Sequence, residues 1–242
     1  MLSVQKEFSL KIIKIQQETE DTKSIVLDLG DIPLQYKAGQ YIVLELDVDE
    51  PNNRKKPLSI ASSPSEKGIL MLTTKITDTP YKQKFNSLAE GDSVKITGAF
   101  GKFTLDESVS EIVMLGGGIG ITPFRSIIKY ATDIKLPANI TLFYSNKTTS
   151  DIVYKDEWYP MEKQTPNFRV VNIVTIPPET SMPWEGKIGR INEGMIREYI
   201  KNINVPVYYI CGPSGMIEGM LSMLKMMNIM EHKIRIERFT GY

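Results

Sequence analysis

Eight residues, Gly116-Gly117-Gly118-Ile119-Gly120-Ile121-Thr122-Pro123, constrain this chain more than any other stretch. An apolar run, Ile112–Leu115, leads into them, and a helical pattern, Pro123–Thr132, leads out. A strand that turns through glycines into a helix presents unpaired backbone N–H groups to an anion, and glycine lets a ligand approach the backbone closely. A pyrophosphate fits that description. The stretch is not the G-x-G-x-x-G fingerprint. At the end of the next strand, where that fingerprint expects an acidic ribose ligand, the sequence has Tyr144-Ser145-Asn146-Lys147. The plainer reading is a glycine turn that only packs a helix on a strand.

Around this turn the pattern is regular. After Leu105, apolar runs at Ile112–Leu115, Ile140–Tyr144, Phe168–Ile176, Val207–Ile210 and Ile234–Ile236 alternate with helical segments. Those helices are expected at Pro123–Thr132, Asp151–Glu162, Glu193–Asn202 and Ser214–Met227. Such alternation predicts a parallel sheet covered on both faces. Before Leu105 the runs are short and β-rich: Phe8–Gln16, Lys23–Leu29, Tyr41–Val48, Leu58–Ser62, Ile69–Ile76 and Ser93–Thr97, with one helix from about Thr79 to Leu88. Six short strands and one helix predict a small closed antiparallel barrel. With 242 residues, two domains are expected, 1–106 and 107–242, with the boundary near Asp106–Ser110.

Composition removes several kinds of chemistry. Lys plus Arg and Asp plus Glu both number 29, so the basic footprint of a nucleic-acid binder is missing. One cysteine, Cys211, and one histidine, His232, leave no internal disulfide, no cysteine-rich zinc site and no four-thiolate iron–sulfur cluster. Redox chemistry here would need a bound organic cofactor. The apolar stretch Ile112–Phe124 is too short to span a bilayer, and Met1–Leu10 carries no secretion signal, so a cytoplasmic protein is expected. Cys211-Gly212-Pro213 ends the fourth apolar run of the second half. Ligands of open α/β sheets sit beyond the carboxyl ends of strands, which turns Cys211 toward the same crevice as the glycine turn. A buried small hydrophobe is the commoner fate of a free cysteine. Met216, Met220, Met223, Met226, Met227 and Met230 recur at helical spacing and read as a buried helix face rather than a docking surface.

Five stretches in order, Lys56–Ser62, Gly98–Phe103, Gly116–Pro123, Cys211–Pro213 and Glu237–Tyr242, together resemble the ferredoxin–NADP reductase superfamily. Its patterns are R-x-Y-S-I-A-S, G-P-F-G-x-F, G-G-G-x-G-[IV]-[TA]-P, C-G-P and a C-terminal aromatic. Trp184–Ile191 is similar to the segment before the family's penultimate helix. The sequence departs from the pattern at Lys56, Leu58 and Ala99, and Arg54 is the arginine nearest the first motif.

The resemblance implies FAD, rather than FMN, on the barrel and NADPH or NADH on the second domain, with hydride passing from nicotinamide to flavin. Ser59 would bond the flavin near N5. Lys56 or Arg54 would stand in for the family's arginine as a cation for phosphate, and Leu58 would take the place of its ring-stacking tyrosine. Ile60, Ala61 and Ser62 would line the ring and ribityl chain. Thr73, Thr74, Lys75, Tyr81 and Lys82 would meet the flavin phosphates. Gly117, Gly118, Gly120 and Thr122 would line the dinucleotide groove, with Gly212 and Pro213 after Cys211. Cys211 and Glu237 would stand at the reacting rings, and Phe239 or Tyr242 would cover the flavin. Leu58 gives apolar cover without aromatic stacking, which implies a looser flavin site.

Ser145, Asn146 and Lys147 offer a hydroxyl, an amide and a cation to a 2′-phosphate, which leans toward NADPH. The expected partner is a separate redox protein: a ferredoxin, flavodoxin, oxygenase component or haem protein. The chain itself is expected to be a monomer or homodimer. Two further readings stand beside this one: an electron-transfer component of a larger complex, and a flavin-free binding module of the same fold.

Overall fold

Six antiparallel strands come first: β1 (Glu7–Thr19), β2 (Thr22–Asp28), β3 (Tyr41–Glu45), β4 (Lys55–Ser59), β5 (Ile69–Lys75) and, after helix α1 (Pro80–Asn86), β6 (Ser93–Phe100). The computed structural model describes residues 7–49, 51–179 and 183–239. Side-chain alternation sets which face is core. In β3, Ile42 and Leu44 are fully buried, while Tyr41, Val43 and Glu45 between them are partly exposed. The core gathers Leu10, Ile12, Ile25, Leu27, Ile42, Leu44, Leu58, Ile60, Leu70 and Leu72, capped by Tyr81 and Phe85 of α1.

The strand order is β4-β3-β6-β1-β2-β5. The two end strands meet through one isolated antiparallel bridge, Ile60 to Leu72, and the Ala61 N–H donates to the Met71 carbonyl at 2.8 Å. That seam closes the barrel. The fourth strand thus runs over Lys55–Ser59, earlier than the sequence suggests, and Ile60–Ser62 form the seam instead of regular ladder.

The second set comprises β7 (Glu111–Gly117), α2 (Thr122–Asp133), β8 (Asn139–Asn146), α3 (Lys155–Gln164), β9 (Phe168–Val174), β10 (Lys187–Ile188), α4 (Glu193–Tyr199), β11 (Val207–Gly212), α5 (Ser214–Met226) and β12 (Ile234–Arg238). The sheet is parallel throughout, in the order β10-β9-β8-β7-β11-β12. Its β7 and β11 interiors are continuous apolar runs, as a strand covered on both faces requires. Two features differ from the sequence expectation. The two-residue edge strand β10 carries no periodicity long enough to register. The helix expected from Asp151 starts at Lys155, because Thr148 and Asp151 close their own capping box around a short turn and Tyr154 takes a left-handed φ of 57°. On α5 the methionines divide: Met220 and Met223 are buried, whereas Met226 is 73% exposed.

The chain separates into two compact units, Met1–Leu105 with Arg125–Tyr130, and Asp106–Phe124 with Ala131–Tyr242. In the second, Asp106 is anchored by Arg235 at 2.5 Å and its N–H donates to the Tyr209 hydroxyl at 3.1 Å.

Leu72 is fully buried at the barrel seam, so Leu72→Ala is expected to lower stability by about 2–5 kcal/mol through the cavity it leaves. Ile13→Ala, at a position 45% exposed, should stay within about 0.5 kcal/mol. Urea unfolding of both variants checks the pair.

Candidate functional site

Residues of the barrel seam behave differently from one another. Ser59 ends β4 directly opposite Tyr41, whose ring lies 5.7 Å from that of Phe100 at a tilt of 46°. Leu58 pairs with Ile42 and is 2% exposed, so its side chain belongs to the barrel core and does not supply the apolar cover expected of it. Ile60 and Ala61 are likewise fully buried, and the Ser62 hydroxyl accepts the Met71 N–H at 2.9 Å. The side chains of these three residues are thus taken up by the barrel itself. No motif marks Tyr41; the alternation of β3, with Ile42 and Leu44 inward, is the signal that places it beside Ser59.

The residues expected at an anion divide as well. Thr73 shares a 2.7 Å hydrogen bond with Ser24, and Lys75 pairs with Asp21 at 2.5 Å. Arg54 donates from Nε to the Val48 carbonyl at 2.9 Å and pairs with Asp47 at 3.2 Å, inside its own hairpin. Lys82 is buried and donates to the Thr74 hydroxyl. Burial pushes Lys82 down to about 8, and the neighbouring Lys56 ammonium adds to the drop. Lys56 itself donates to the Asn53 side chain at 3.0 Å. Tyr81 donates its hydroxyl to the Leu44 carbonyl at 3.0 Å, a core role. The structure therefore brings Lys56, Thr74 and Lys82 together and turns Arg54, Thr73 and Lys75 elsewhere.

At the carboxyl ends of the parallel strands, the glycine turn is a short 3-10 segment, Gly118–Ile121, feeding α2. A Cβ on Gly120 would lie 2.5 Å from the Cys211 carbonyl oxygen, so only glycine allows the turn to sit against β11. Gly118 has φ +51° and open space within 4 Å of where its Cβ would be. The Met216 sulfur lies over Gly117 and Gly212. The Thr122 hydroxyl donates back to the Ile119 carbonyl at 3.2 Å, closing the turn. Tyr144, which no motif marks, buttresses it: its hydroxyl donates to the Gly118 carbonyl at 3.1 Å and accepts from the Val153 N–H at 3.3 Å.

Neighbouring groups complete this end of the sheet. Asn146 is buried with both side-chain amide atoms unpartnered, while Ser145 is half-buried and Lys147 exposed. Cys211 is fully buried; burial raises its thiol well above the ordinary range and Glu237 adds to the rise, so it is a neutral thiol and no nucleophile. Glu237 stands beside it in the β11–β12 register, and burial raises its carboxyl too. Pro213 precedes α5, and Phe239 follows β12 half-buried. The remaining candidate, Tyr242, lies outside the described residues.

Comparison with known proteins matches residues 9–105 to the oxidoreductase FAD-binding domain family and residues 114–221 to the oxidoreductase NAD-binding domain family. The F component of the Na(+)-translocating NADH-quinone reductase of Pseudoalteromonas atlantica is 28% identical over 229 residues, 87% of this chain and 55% of that protein. Its counterpart from Histophilus somni is 32% identical over 197 residues, 76% of this chain and 48% of that protein. The chain spans about half the length of these relatives. Among solved structures, a ferredoxin NADP+ reductase from Neisseria gonorrhoeae with bound FAD and NADP superposes with a TM-score of 0.82 at 21% identity, covering 96% of this chain and 98% of that one. The flavohem-like FAD/NAD binding domain of nitric oxide dioxygenase from Vibrio cholerae gives 0.84 at 20% identity, covering 96% and 98%.

The residues fit both groups that these domain families are named for. A buried ammonium, Lys82, lowered by burial and further by the neighbouring Lys56, forms with it a cradle whose charge an anion such as a flavin diphosphate relieves. Open space at Gly118 and the orphaned amide of Asn146 lie where a dinucleotide is expected.

Lys82 loses its charge as pH rises through about 8, whereas the unfolded chain keeps it to about 10.4. The apoprotein is therefore expected to gain stability over that window while FAD affinity falls by up to about tenfold per pH unit. Fluorescence titration of FAD binding between pH 7 and 9.5 reads this, and Lys82→Met should flatten the profile. A wild-type affinity independent of pH would show that Lys82 does not meet the diphosphate.

Proposed function

This chain belongs to the ferredoxin–NADP reductase superfamily, and on that premise we propose that it oxidises NAD(P)H through FAD and hands the electrons to a redox partner. The observation that carries the proposal is that one chain holds two half-sites: the Lys56–Lys82 cradle in its FAD-binding domain and the open glycine turn in its NAD-binding domain. When both cofactors are bound, the nicotinamide supplies two electrons and a proton, and the flavin accepts them and releases electrons onward.

The chain's own residues bind, orient and exclude water. Lys56 and Lys82 neutralise phosphate charge, and the backbone of Ile60–Ser62 together with Ser59 fixes the flavin edge. Gly118 leaves room for the dinucleotide, Gly117 and Gly120 let the turn pack against Met216 and β11, and Tyr144 keeps the turn in shape. Cys211 acts through its neutral bulk, holding the geometry of the reacting ring. Glu237, its carboxyl raised by burial, holds a proton at Oε to a higher pH than an exposed glutamate would. Because NAD(P)H is kept inside cells, we place the chain on the cytoplasmic side; among the described residues no helix is long and apolar enough to cross a membrane.

A second reading is favoured by the names of the relatives, each the F component of a Na(+)-translocating NADH-quinone reductase. In that reading the same chemistry feeds a fixed assembly rather than a diffusible acceptor.

Protein reconstituted with FAD and mixed anaerobically with NADH or NADPH is expected to lose its flavin absorbance. Failure to take up FAD overturns the proposal. At the adenosine end, exposed Lys147 is proposed to favour a 2′-phosphate. Lys147→Ala should lower the NADPH/NADH ratio of kcat/KM by about tenfold, the scale of one lost charge-assisted hydrogen bond. An unchanged ratio assigns Lys147 to solvent.

A further inference from the structure

The ladder of β4 stops at Ser59, and only one bridge follows, Ile60 to Leu72. The backbone of Ala61–Ser63 must therefore find partners outside regular sheet. The Ala61 N–H meets the Met71 carbonyl, and most of the remaining groups meet side chains, two of them 64 residues away. Arg125 Nη1 donates to the Ala61 carbonyl at 2.9 Å, and the Ser126 hydroxyl donates to the Ser62 carbonyl at 2.7 Å. Glu66 accepts the Ser63 N–H at 2.6 Å, and Tyr36 bonds the Ser62 hydroxyl at 3.1 Å.

Arg125 and Glu66 form the centre of this arrangement. The guanidinium is gripped at two points, Nη1 to Oε2 at 3.0 Å and Nη2 to Oε1 at 3.2 Å, and the two side chains are 7% and 20% exposed. Both residues belong to the same compact unit as the barrel. A desolvated pair of this kind is a poor source of net stability compared with apolar packing, so its presence at this segment asks for another role. Arginine's planar fork meets one carboxylate and one carbonyl at once; a lysine ammonium cannot hold the same set in one orientation.

We propose that Arg125, locked by Glu66, is a positioning residue: by fixing the Ala61 carbonyl it sets the backbone on which Ser59–Ser62 meet the flavin. Ser126 does the same for Ser62. The inference rests on the flavin reading of this chain and adds to it a residue placed downstream of the glycine turn.

The test compares Arg125→Lys, Ser126→Ala and the double variant Arg125→Met/Glu66→Leu with wild type, each as the full chain. Readouts are the thermal midpoint of the apoprotein, FAD affinity, the flavin visible spectrum, and kcat and KM for NAD(P)H with ferricyanide as acceptor. In Arg125→Lys, FAD affinity should weaken about tenfold, a loss of about 1.4 kcal/mol. In the same variant kcat at saturating FAD should fall about tenfold or more, as slight misplacement of reacting groups does, with KM for the nicotinamide cofactor within about twofold. The double variant, free of buried charge, should recover the apoprotein midpoint at least to that of Arg125→Lys but not kcat or the wild-type flavin spectrum. Ser126→Ala, a smaller change, should shift the spectrum in the same direction. Recovery of both midpoint and kcat in the double variant, or wild-type kcat and spectrum in Arg125→Lys, overturns the inference. A wild-type protein that takes up no FAD overturns the flavin reading instead.

Discussion

A barrel of six strands whose end strands touch through one bridge has to supply its missing hydrogen bonds from elsewhere. That requirement governs the N-terminal unit. Each backbone polar group left at Ala61–Ser63 would, if buried unpaired, be costly, and the chain answers with Arg125, Ser126, Glu66 and Tyr36. Because the seam lacks a ladder, its backbone is held by single backbone bonds to Gln40 and Met71 and by these side chains, which together fix it in one conformation.

The parallel sheet solves a different problem. Its strands end in glycines at Gly117 and Gly212, and the turn after β7 packs against the Cys211 carbonyl so closely that no Cβ fits at Gly120. Close backbone contact and a buried neutral thiol make this end of the sheet a rigid, weakly reactive wall. Tyr144, bonded to the turn and to the Val153 N–H, extends the same wall onto β8. The polar exception is Asn146, whose side-chain amide finds no protein partner.

Much of this was legible in the residues. The six short strands, the switch to alternating strands and helices after Leu105, and the glycine turn between β7 and α2 all follow local rules of period and turn chemistry. What escaped was decided by long-range contact. The motif aligned Leu58 with a ring-stacking position, yet its pairing with Ile42 turns it into the core. The resemblance assigned Thr73, Lys75 and Arg54 to the flavin site, but their side chains bond to Ser24, Asp21 and the Val48 carbonyl. Arg125 left no trace, because a lone charge beside Ser126 on an amphipathic helix reads as part of its solvent face. A strand of two residues, β10, leaves no trace.

The grip of Arg125 on Glu66 also bears on how the chain can be cut. A fragment stopping at Leu105 would contain every strand of the barrel and span residues 9–105 of the FAD-binding family, yet it would leave the Ala61 carbonyl without the Arg125 donor and the Glu66 carboxylate without its cation. The autonomous folding piece is thus longer than its strands suggest. During synthesis, the ribosome must release about twenty more residues before the barrel's own electrostatics can balance.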